Sequence, residues 1–305
     1  MLRSPWLPMN LVAPSSAGSP CPSGQPPSLL WRISLGSTPR GVTLAREKGW
    51  LLAWDDQDWL HLYDRLGQRQ GHVRVPGPLA AACAADDGSA LAAVGSRGQV
   101  WFLAPDLTVR WEHHLGVAAA AAALDPFGQY LAVADIRARL IVFDRLGRRR
   151  VEVQCPRPLH RLAFIPVRPN LVGASDVGLV ACWTIDGALV WQDRVVAHIN
   201  DLSVNDDGEQ VCLACFSEGL RRFSLTKRAL GPIPAAGVCR LAAQSFSGQR
   251  ILVADLDNGL AALDPQGTIQ ATCSVDEPPL ALAVTPLGEG FVAAFPSGTV
   301  AAYRW

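Results

Sequence analysis

A large apolar residue recurs every 40 positions along the chain. The near-identical pentapeptides YDRLG (residues 63–67) and FDRLG (residues 143–147) lie 80 residues apart. Steps of half that distance reach seven large apolar residues, five of them aromatic: Tyr63, Leu103, Phe143, Trp183, Phe223, Leu263 and Tyr303. Aromatic residues make up 7% of the chain, so chance alone would place about half of one among seven positions. The chain is therefore predicted to consist of repeated units of about 40 residues.

Two further registers follow the same period. Glycine recurs at 40-residue steps, with Gly49 one residue out of step and Arg168 in place of one glycine: Gly88, Gly128, Gly208, Gly248 and Gly288. Tryptophan recurs at 80-residue steps, at Trp31, Trp111 and Trp191. Because three registers agree, the period belongs to the whole chain rather than to one pair of segments.

Each unit contains short apolar runs separated by turn residues. In the second unit, the turns DDG (86–88) and SRG (96–98) bound the run ALAAV. Glycine and asparagine supply the positive φ that tight hairpin turns need. Turns at intervals of roughly 8–12 residues predict an all-β protein, and four strands in every ~40 residues predict a β-propeller. First strands are expected near residues 41, 79, 119, 159, 199, 239 and 280, which makes seven four-stranded blades.

The alanine run at 118–123 sets local propensity against the repeat. Six consecutive alanines favour a helix. The run nevertheless falls in the position that LAAACA (79–84) occupies one unit earlier. We therefore predict a strand, and the small side chains suit a first strand that lines a crowded centre.

The two ends of the chain are expected to close the ring together. Trp31 lies 80 residues before Trp111, which puts residues 29–35 in the fourth-strand register. The sequence ends just after Tyr303, a third-strand position, so we predict a last blade of three C-terminal strands and one N-terminal strand. This pairing would hide two sheet edges. Residues 29–305 then form a single propeller domain, and the Pro- and Ser-rich residues 1–28 a disordered leader.

The repeats resemble those of the WD-repeat and quinoprotein-like β-propeller superfamily. The order DDG, ALAAVGSRG, VWFLAPD is similar to a WD repeat, whereas GLAALDPQG (259–267) and CWTIDGALVW (182–191) look like the repeats of pyrroloquinoline-quinone-type propellers. The chain departs from the WD pattern because no unit has the terminal Trp-Asp pair in its place and no Gly-His pair precedes a first strand. The resemblance implies a stable ring with loops at two faces and a central channel. It implies no particular chemistry.

Charge and hydropathy narrow the classes of partner. The 27 basic and 27 acidic residues balance, which argues against attraction to nucleic acid or to an anionic membrane. No apolar run approaches the ~20 residues of a membrane helix. Pro8 and Asn10 interrupt the apolar stretch at the N-terminus, so we expect a cytoplasmic protein, with an unusual export signal as the alternative.

The sequence carries no strong signal for a metal, cofactor or catalytic site. Of the eight cysteines only Cys212 and Cys215 are close, and on a strand residues three apart point to opposite faces. Buried free thiols are therefore expected rather than a metal or redox pair. Nucleophile-elbow, phosphate-loop and HExxH motifs are absent, so we expect no enzyme, no cofactor and no metal.

Acidic and histidine residues that recur with the repeat are expected to be structural. Turn carboxylates normally accept hydrogen bonds from their own backbone. This reading covers ten aspartates: Asp64, Asp86, Asp87, Asp125, Asp144, Asp186, Asp206, Asp207, Asp257 and Asp264. His198 and Asp201 resemble the histidine and the downstream position of one WD repeat, and His160 lies one unit earlier. Such a histidine could pair with a carboxylate and hold a loop against a strand.

Candidate binding residues are those that break the repeat. The stretch WDDQDW (54–59) puts two tryptophans around three acids where other units have a glycine turn, and an exposed tryptophan is a frequent partner anchor. With loop arginines and one histidine, the candidate contacts are Trp54, Asp55, Asp56, Asp58, Trp59, Arg97, Arg137, Arg157 and His198. The alternatives are that a tryptophan packs between blades and that the arginines form a solvated rim. The basic run RLGRRR (145–150) is interpreted as a solvated outer turn.

These observations favour a non-catalytic, monomeric platform for protein–protein interaction. Blades that fix loop positions reduce the loop entropy lost on binding. The alternative is a small-molecule-binding or enzymatic propeller that uses the mouth of the channel. A nucleic-acid-binding propeller ranks third because it would need one basic face despite zero net charge.

Overall fold

The chain forms a seven-bladed β-propeller, as the repeat predicts. We analysed a computed structural model that describes residues 26–206, 208–224, 226, 229–233, 238–256 and 258–305. The described residues form 28 strands in seven four-stranded antiparallel sheets. The described residues contain no helix that is long and apolar enough to cross a membrane. Residues 1–25 of the predicted leader, with Cys21, lie outside the described residues, as do Asp207 and Asp257.

Each blade follows the chain from its inner strand to its outer strand, which we call strands a, b, c and d. Blade 1 contains β2 (Pro39–Ala45), β3 (Trp50–Asp55), β4 (Trp59–Tyr63) and β5 (Arg69–Arg74). Blade 2 contains β6 (Leu79–Ala84), β7 (Leu91–Gly95), β8 (Gln99–Leu103) and β9 (Val109–His114). Blade 3 contains β10 (Ala119–Leu124), β11 (Tyr130–Asp135), β12 (Arg139–Asp144) and β13 (Arg149–Gln154). Blade 4 contains β14 (Arg161–Phe164), β15 (Asn170–Ala174), β16 (Leu179–Thr184) and β17 (Leu189–Arg194).

The remaining three blades complete the ring. Blade 5 contains β18 (Ile199–Val204), β19 (Val211–Cys215), β20 (Gly219–Phe223) and β21 (Ala229–Ile233). Blade 6 contains β22 (Leu241–Gln244), β23 (Ile251–Ala254), β24 (Gly259–Leu263) and β25 (Ile269–Ser274). Blade 7 contains β26 (Ala281–Val284), β27 (Gly290–Ala294), β28 (Thr299–Arg304) and, as its strand d, β1 (Ser28–Ser34).

Strand β1 closes the ring by pairing antiparallel with β28. Ile33 lies opposite Val300, and Ser28 lies opposite Arg304. The prediction that the last blade combines three C-terminal strands with one N-terminal strand is confirmed. The strand begins at Ser28, one residue earlier than predicted.

The inner strands pack against one another around a central channel. The alanine run forms β10 there, so the predicted strand is confirmed against the helical propensity of alanine. Its residues Ala119 and Ala121 are buried in different clusters, on either side of blade 3. Because small side chains let neighbouring blades approach closely at the axis, the repeat overrides local propensity at this position.

The repeated pentapeptides are turns onto which the preceding blade packs. Asp64 accepts hydrogen bonds from the backbone N–H groups of Leu66 and Gln68, and Asp144 does the same in blade 3. The ring of Trp31 lies over Gly67, where an added Cβ would come within 2.9 Å of it. The indole N–H of Trp31 donates to the Arg65 carbonyl at 2.9 Å. Trp111, 80 residues later, makes the same two contacts with Gly147 and the Arg145 carbonyl.

Turns divide the ring into two faces. The upper face, as we use the term, carries the b–c turns and the d–a loops, and the lower face carries the a–b and c–d turns. On the upper face each b–c turn is bonded to a d–a loop, for example Asp56 N–H to Thr38 O at 2.9 Å. On the lower face a–b turns bond to one another across blades, for example Phe246 N–H to Pro286 O at 2.8 Å. Backbone hydrogen bonds therefore fix the turns on both faces.

A buried aspartate organises the b–c turn of blade 1. Asp55 Oδ1 accepts hydrogen bonds from the backbone N–H groups of Gln57 and Trp59 at 3.0 and 2.9 Å. Its Oδ2 accepts the Ser37 hydroxyl at 2.5 Å and lies 2.9 Å from Nε2 of His61. Burial alone would raise the pKa of Asp55, but the hydrogen bonds from Ser37, His61 and Trp59 outweigh burial and lower it.

Replacing Trp31 with alanine should open the closing blade. The substitution removes a half-buried ring that packs between blades 7 and 1 and the hydrogen bond to Arg65. We expect a loss of about 2–3 kcal/mol in the free energy of unfolding, measured by urea titration. Leu29→Ala in the same strand is the control, since its side chain is 50% exposed, and should change stability by less than about 0.5 kcal/mol. Equal effects of the two substitutions would contradict a closing role for Trp31.

Acid should weaken the protein through Asp55. Because the pKa of Asp55 is lowered in the folded state, its stabilisation is complete above the ordinary aspartate pKa of about 3.9 and is lost as the pH falls through the folded-state value. Asp55→Asn should cost about 1–3 kcal/mol at pH 7 and should flatten the fall in stability between pH 5 and pH 3. Urea titrations across this range measure both effects. Asp56→Asn, an exposed change in the same turn, should leave the wild-type profile intact.

Candidate functional site

The upper face holds all the candidate contact residues. Asp56, Arg97 and Arg137 lie in the b–c turns of blades 1, 2 and 3. Arg157 and His198 lie in the d–a loops that lead into blades 4 and 5, and all five side chains are exposed. The structure thus brings residues from five separate segments to one face, although it gives no direct contact between them.

Asp55 and Asp58 serve the framework of this face. Asp55 has no exposed surface, and its bonds are all internal, so it must be removed from the predicted partner contacts. The Oδ1 atom of Asp58 accepts a hydrogen bond from the Leu79 N–H at 2.8 Å and so ties blade 1 to blade 2. Asp58 also has a φ of +67°, the left-handed conformation that Gly98 adopts in the next blade. The stretch WDDQDW therefore forms the same turn as the glycine-containing repeats, with Asp58 in the position of the glycine.

The two tryptophans of this stretch pack against the propeller. Trp54 is half-buried against the core between blades 1 and 2, and its ring occupies the space where a side chain at Gly41 would lie. Its edge also lines the central channel. Trp59 stacks on His72 of strand β5, with 5.0 Å between ring centroids. Packing, the alternative raised for these residues, accounts for most of the surface of both rings, and both remain only partly exposed.

The upper-face arginines divide into paired and unpaired groups. Arg139 bonds to Asp135 at 2.6 Å, and Arg161 lies 3.4 Å from Asp201. Burial raises the pKa of Asp201, against the opposing effect of Arg161. Within the described part of the chain Arg97, Arg137 and Arg157 form no ion pair. Their charge is directed to solvent over the arc of blades 2 to 4.

Exposed apolar side chains on the same face were not predicted. They lie mainly in the b–c turns of blades 3 to 6, with two in d–a loops: Ile136 (54% exposed), Val177 (54%), Val196 (86%), Phe216 (49%), Val238 (39%) and Leu256 (46%). Three of them, Ile136, Phe216 and Leu256, fall in one register of the repeat, at the first position of the turn. A comparison of the positions 40 residues apart from Asp56 would identify these three, because the other blades have a polar residue or proline at that position.

The central channel is a cavity of about 430 Å³ lined by the inner strands. On the lower face Arg46 bonds to Asp86 at 2.8 Å and lies over the Phe246 ring at 4.3 Å, which narrows that end. At the upper mouth His160 Nδ1 lies 3.4 Å from Asp176 Oδ1 without a hydrogen bond to it. No group of three His, Cys, Asp or Glu side chains that could hold a metal occurs among the described residues.

The cysteines are free thiols in the described part of the chain. Six are buried, and Cys273 is partly exposed. Cys212 and Cys215 belong to the cores on opposite sides of blade 5, as strand alternation predicts. Burial raises the pKa of Cys83, Cys182 and Cys212 to about 12, so these thiols stay protonated at neutral pH.

Comparison with known proteins shows the fold of the chain. No family model matches the sequence, and no curated protein matches it. Among solved structures, 1876 chains match. One is the WD40 domain of Pan2 from Neurospora crassa, which is 16% identical, with a TM-score of 0.78 over 91% of this chain and 95% of that domain. The chain thus has a seven-bladed β-propeller fold similar to that of this WD40 domain, closed by its N-terminal strand.

Proposed function

We propose that the protein is a non-catalytic, cytoplasmic platform that binds other proteins through its upper face. The observation that carries this proposal is the chemistry of that face. Unpaired arginines over blades 2 to 4 adjoin exposed apolar side chains over blades 3 to 6. Protein interfaces commonly combine apolar and aromatic contacts with arginine.

The backbone of the upper face supports binding without much reorganisation. The turn residues Ser96, Ile136 and Phe216 each donate a backbone hydrogen bond to the adjoining d–a loop, at 2.8, 3.1 and 3.0 Å. Side chains on such turns are held in position before a partner arrives. Less conformational entropy is then lost on association than with flexible loops.

The WD40 likeness supports a binding role only at the level of the fold. Propellers of this kind present loops at two faces, and the same fold hosts unrelated functions. Exposed apolar side chains, Phe127 and Val167 among them, also occur on the lower face. The proposal chooses the upper face because the d–a loops lie there and because Arg46 narrows the channel at the lower end.

Variants of the two faces test the proposal directly. Phe216 on the upper face and Phe127 in an a–b turn on the lower face are 49% and 54% exposed, so they form a matched pair. Arg97 and Arg148 form a second pair of exposed arginines, one on each face. Affinity capture from native lysate, quantified by mass spectrometry, should lose its reproducible partners with Arg97→Glu plus Phe216→Ser. Arg148→Glu plus Phe127→Ser should retain them.

Thermal unfolding of both double variants provides the control for folding. Each changes exposed residues, so melting temperatures should stay within about 3 °C of the wild type. Equal capture by both variants, or the absence of any partner that co-purifies reproducibly, would contradict the proposal.

A further inference from the structure

A cavity of about 300 Å³ opens where the d–a loop leaving blade 3 passes blade 4. Its apolar wall comes from three residues, Pro156 of the loop, Val177 of the b–c turn and Leu179 at the start of β16. Leu179 is 9% exposed and forms the floor, whereas Val177 is 54% exposed and forms the rim. The volume lies at the lower end of ligand pockets and suits a single side chain rather than a cofactor.

An additional apolar side chain extends this wall across the upper face. Val195 N–H donates to the Gly178 carbonyl at 2.8 Å, so the chain after β17 runs beside the b–c turn of blade 4. Val196, the next residue, is 86% exposed. Two exposed valines, Val177 and Val196, therefore flank this hydrogen bond, next to the cavity. An apolar group bound here would cover both.

The polar rim of the cavity consists of two arginines, Asp193 and Gln192. Arg157 and Arg194 line it, and neither forms an ion pair among the described residues. Asp193 also lines it, and its Oδ1 accepts the Arg194 backbone N–H at 2.7 Å. Arg137 lies in the neighbouring b–c turn, and its carbonyl accepts the Gln154 side chain at 3.0 Å, two residues before Pro156. Two arginines and one carboxylate thus line an apolar pocket, and a third arginine, Arg137, lies in the adjoining turn.

We infer that this cavity binds a linear acidic peptide segment of a partner protein, with one aliphatic side chain inserted and flanking carboxylates on the arginines. The inference rests on the proposed function, since it names the chemistry of the partner at the upper face. Arg137, Arg157 and Arg194 offer planar donors that match carboxylates, and the apolar wall adds the contact that gives register. Exposed arginines alone would give weak binding, so the pocket for the side chain is required.

A peptide fits these features better than a nucleic acid does. Nucleic-acid binding depends on an extended basic surface that neutralises several phosphates. Two basic residues, Arg157 and Arg194, line the cavity, beside aliphatic side chains that a phosphate backbone would leave uncovered. A short acidic segment satisfies both parts of the site.

Fluorescence anisotropy with a designed probe tests this inference. The probe is a fluorescein-labelled twelve-residue peptide with one central leucine, two glutamates on each side of it, and serine and glycine elsewhere. We expect saturable binding to the full chain that weakens as NaCl rises from 50 to 300 mM. Leucine to serine in the peptide should weaken binding by roughly tenfold or more, and glutamate to lysine should abolish it.

Substitutions in the protein locate the binding site. Arg137→Ala plus Arg157→Ala should weaken binding of the probe by roughly three- to tenfold, and Val177→Ser should weaken it in low and in high salt. Arg148→Ala plus Val167→Ser is the matched control on the lower face, where Val167 is 64% exposed, and it should bind like the wild type. Unchanged melting temperatures show that the variants are folded.

Several outcomes would overturn the inference. These are no binding of the probe, equal loss with the upper-face and lower-face variants, or tighter binding of a labelled twelve-nucleotide single-stranded DNA of mixed sequence. If Arg97→Glu plus Phe216→Ser abolishes capture from lysate while the probe fails to bind, the platform survives and the acidic-peptide chemistry is wrong. If neither assay shows binding at the upper face, both proposals fail.

Discussion

The pairing of β1 with β28 is the interaction on which the rest of the structure depends. In a propeller no covalent bond joins the first blade to the last. Each blade buries its two faces only against its two neighbours. Without β1, blade 7 would expose the edge of β28, and Trp31 would no longer pack over the turn of blade 1 at Gly67. The first and last residues of the fold therefore stabilise the same sheet. Because the ring is closed, the turns of all seven blades are held at fixed positions relative to one another.

The two faces of this closed ring differ in how their charged side chains are paired, although every blade follows the same repeat. On the lower face, carboxylates at c–d turns bond to their own backbone, as Asp64 and Asp144 do, and Arg149 bonds to Glu152 at 2.6 Å. On the upper face, Asp55 and Asp135 accept hydrogen bonds from the backbone of their b–c turns, and Asp135 also pairs with Arg139. Arg97 and Arg137, in the b–c turns of blades 2 and 3, form no ion pair among the described residues. The balance of 27 basic and 27 acidic residues hides this separation, because a net charge of zero carries no information about position.

Periodicity predicted the number of blades, the closing strand and the strand formed by the alanine run, because each is imposed by the 40-residue spacing. The same spacing carries a further signal: Asp135 and Asp255 occupy the register of Asp55 and accept the same kind of hydrogen bond from the backbone of the turn. That register would have identified Asp55 as a framework residue. The cavity between blades 3 and 4 is a different case. Pro156, Val177 and Arg194 come from three segments, and the repeat places them on one face without showing that they enclose a space.

Two groups of arginines show that the role of a surface charge depends on its surroundings in the fold. The run at 145–150 is the densest basic stretch of the sequence, yet it lies at an outer turn of the lower face, where Arg149 is paired and the turn backbone is bonded to Asp144. Arg137, Arg157 and Arg194 are dispersed over 58 positions and form no cluster in the sequence. Blade packing sets the last two beside an apolar wall, with Arg137 in the adjoining turn. Charge next to an apolar pocket can select one kind of segment, whereas charge on a solvated turn attracts any anion weakly. The dispersed arginines are therefore the more specific site.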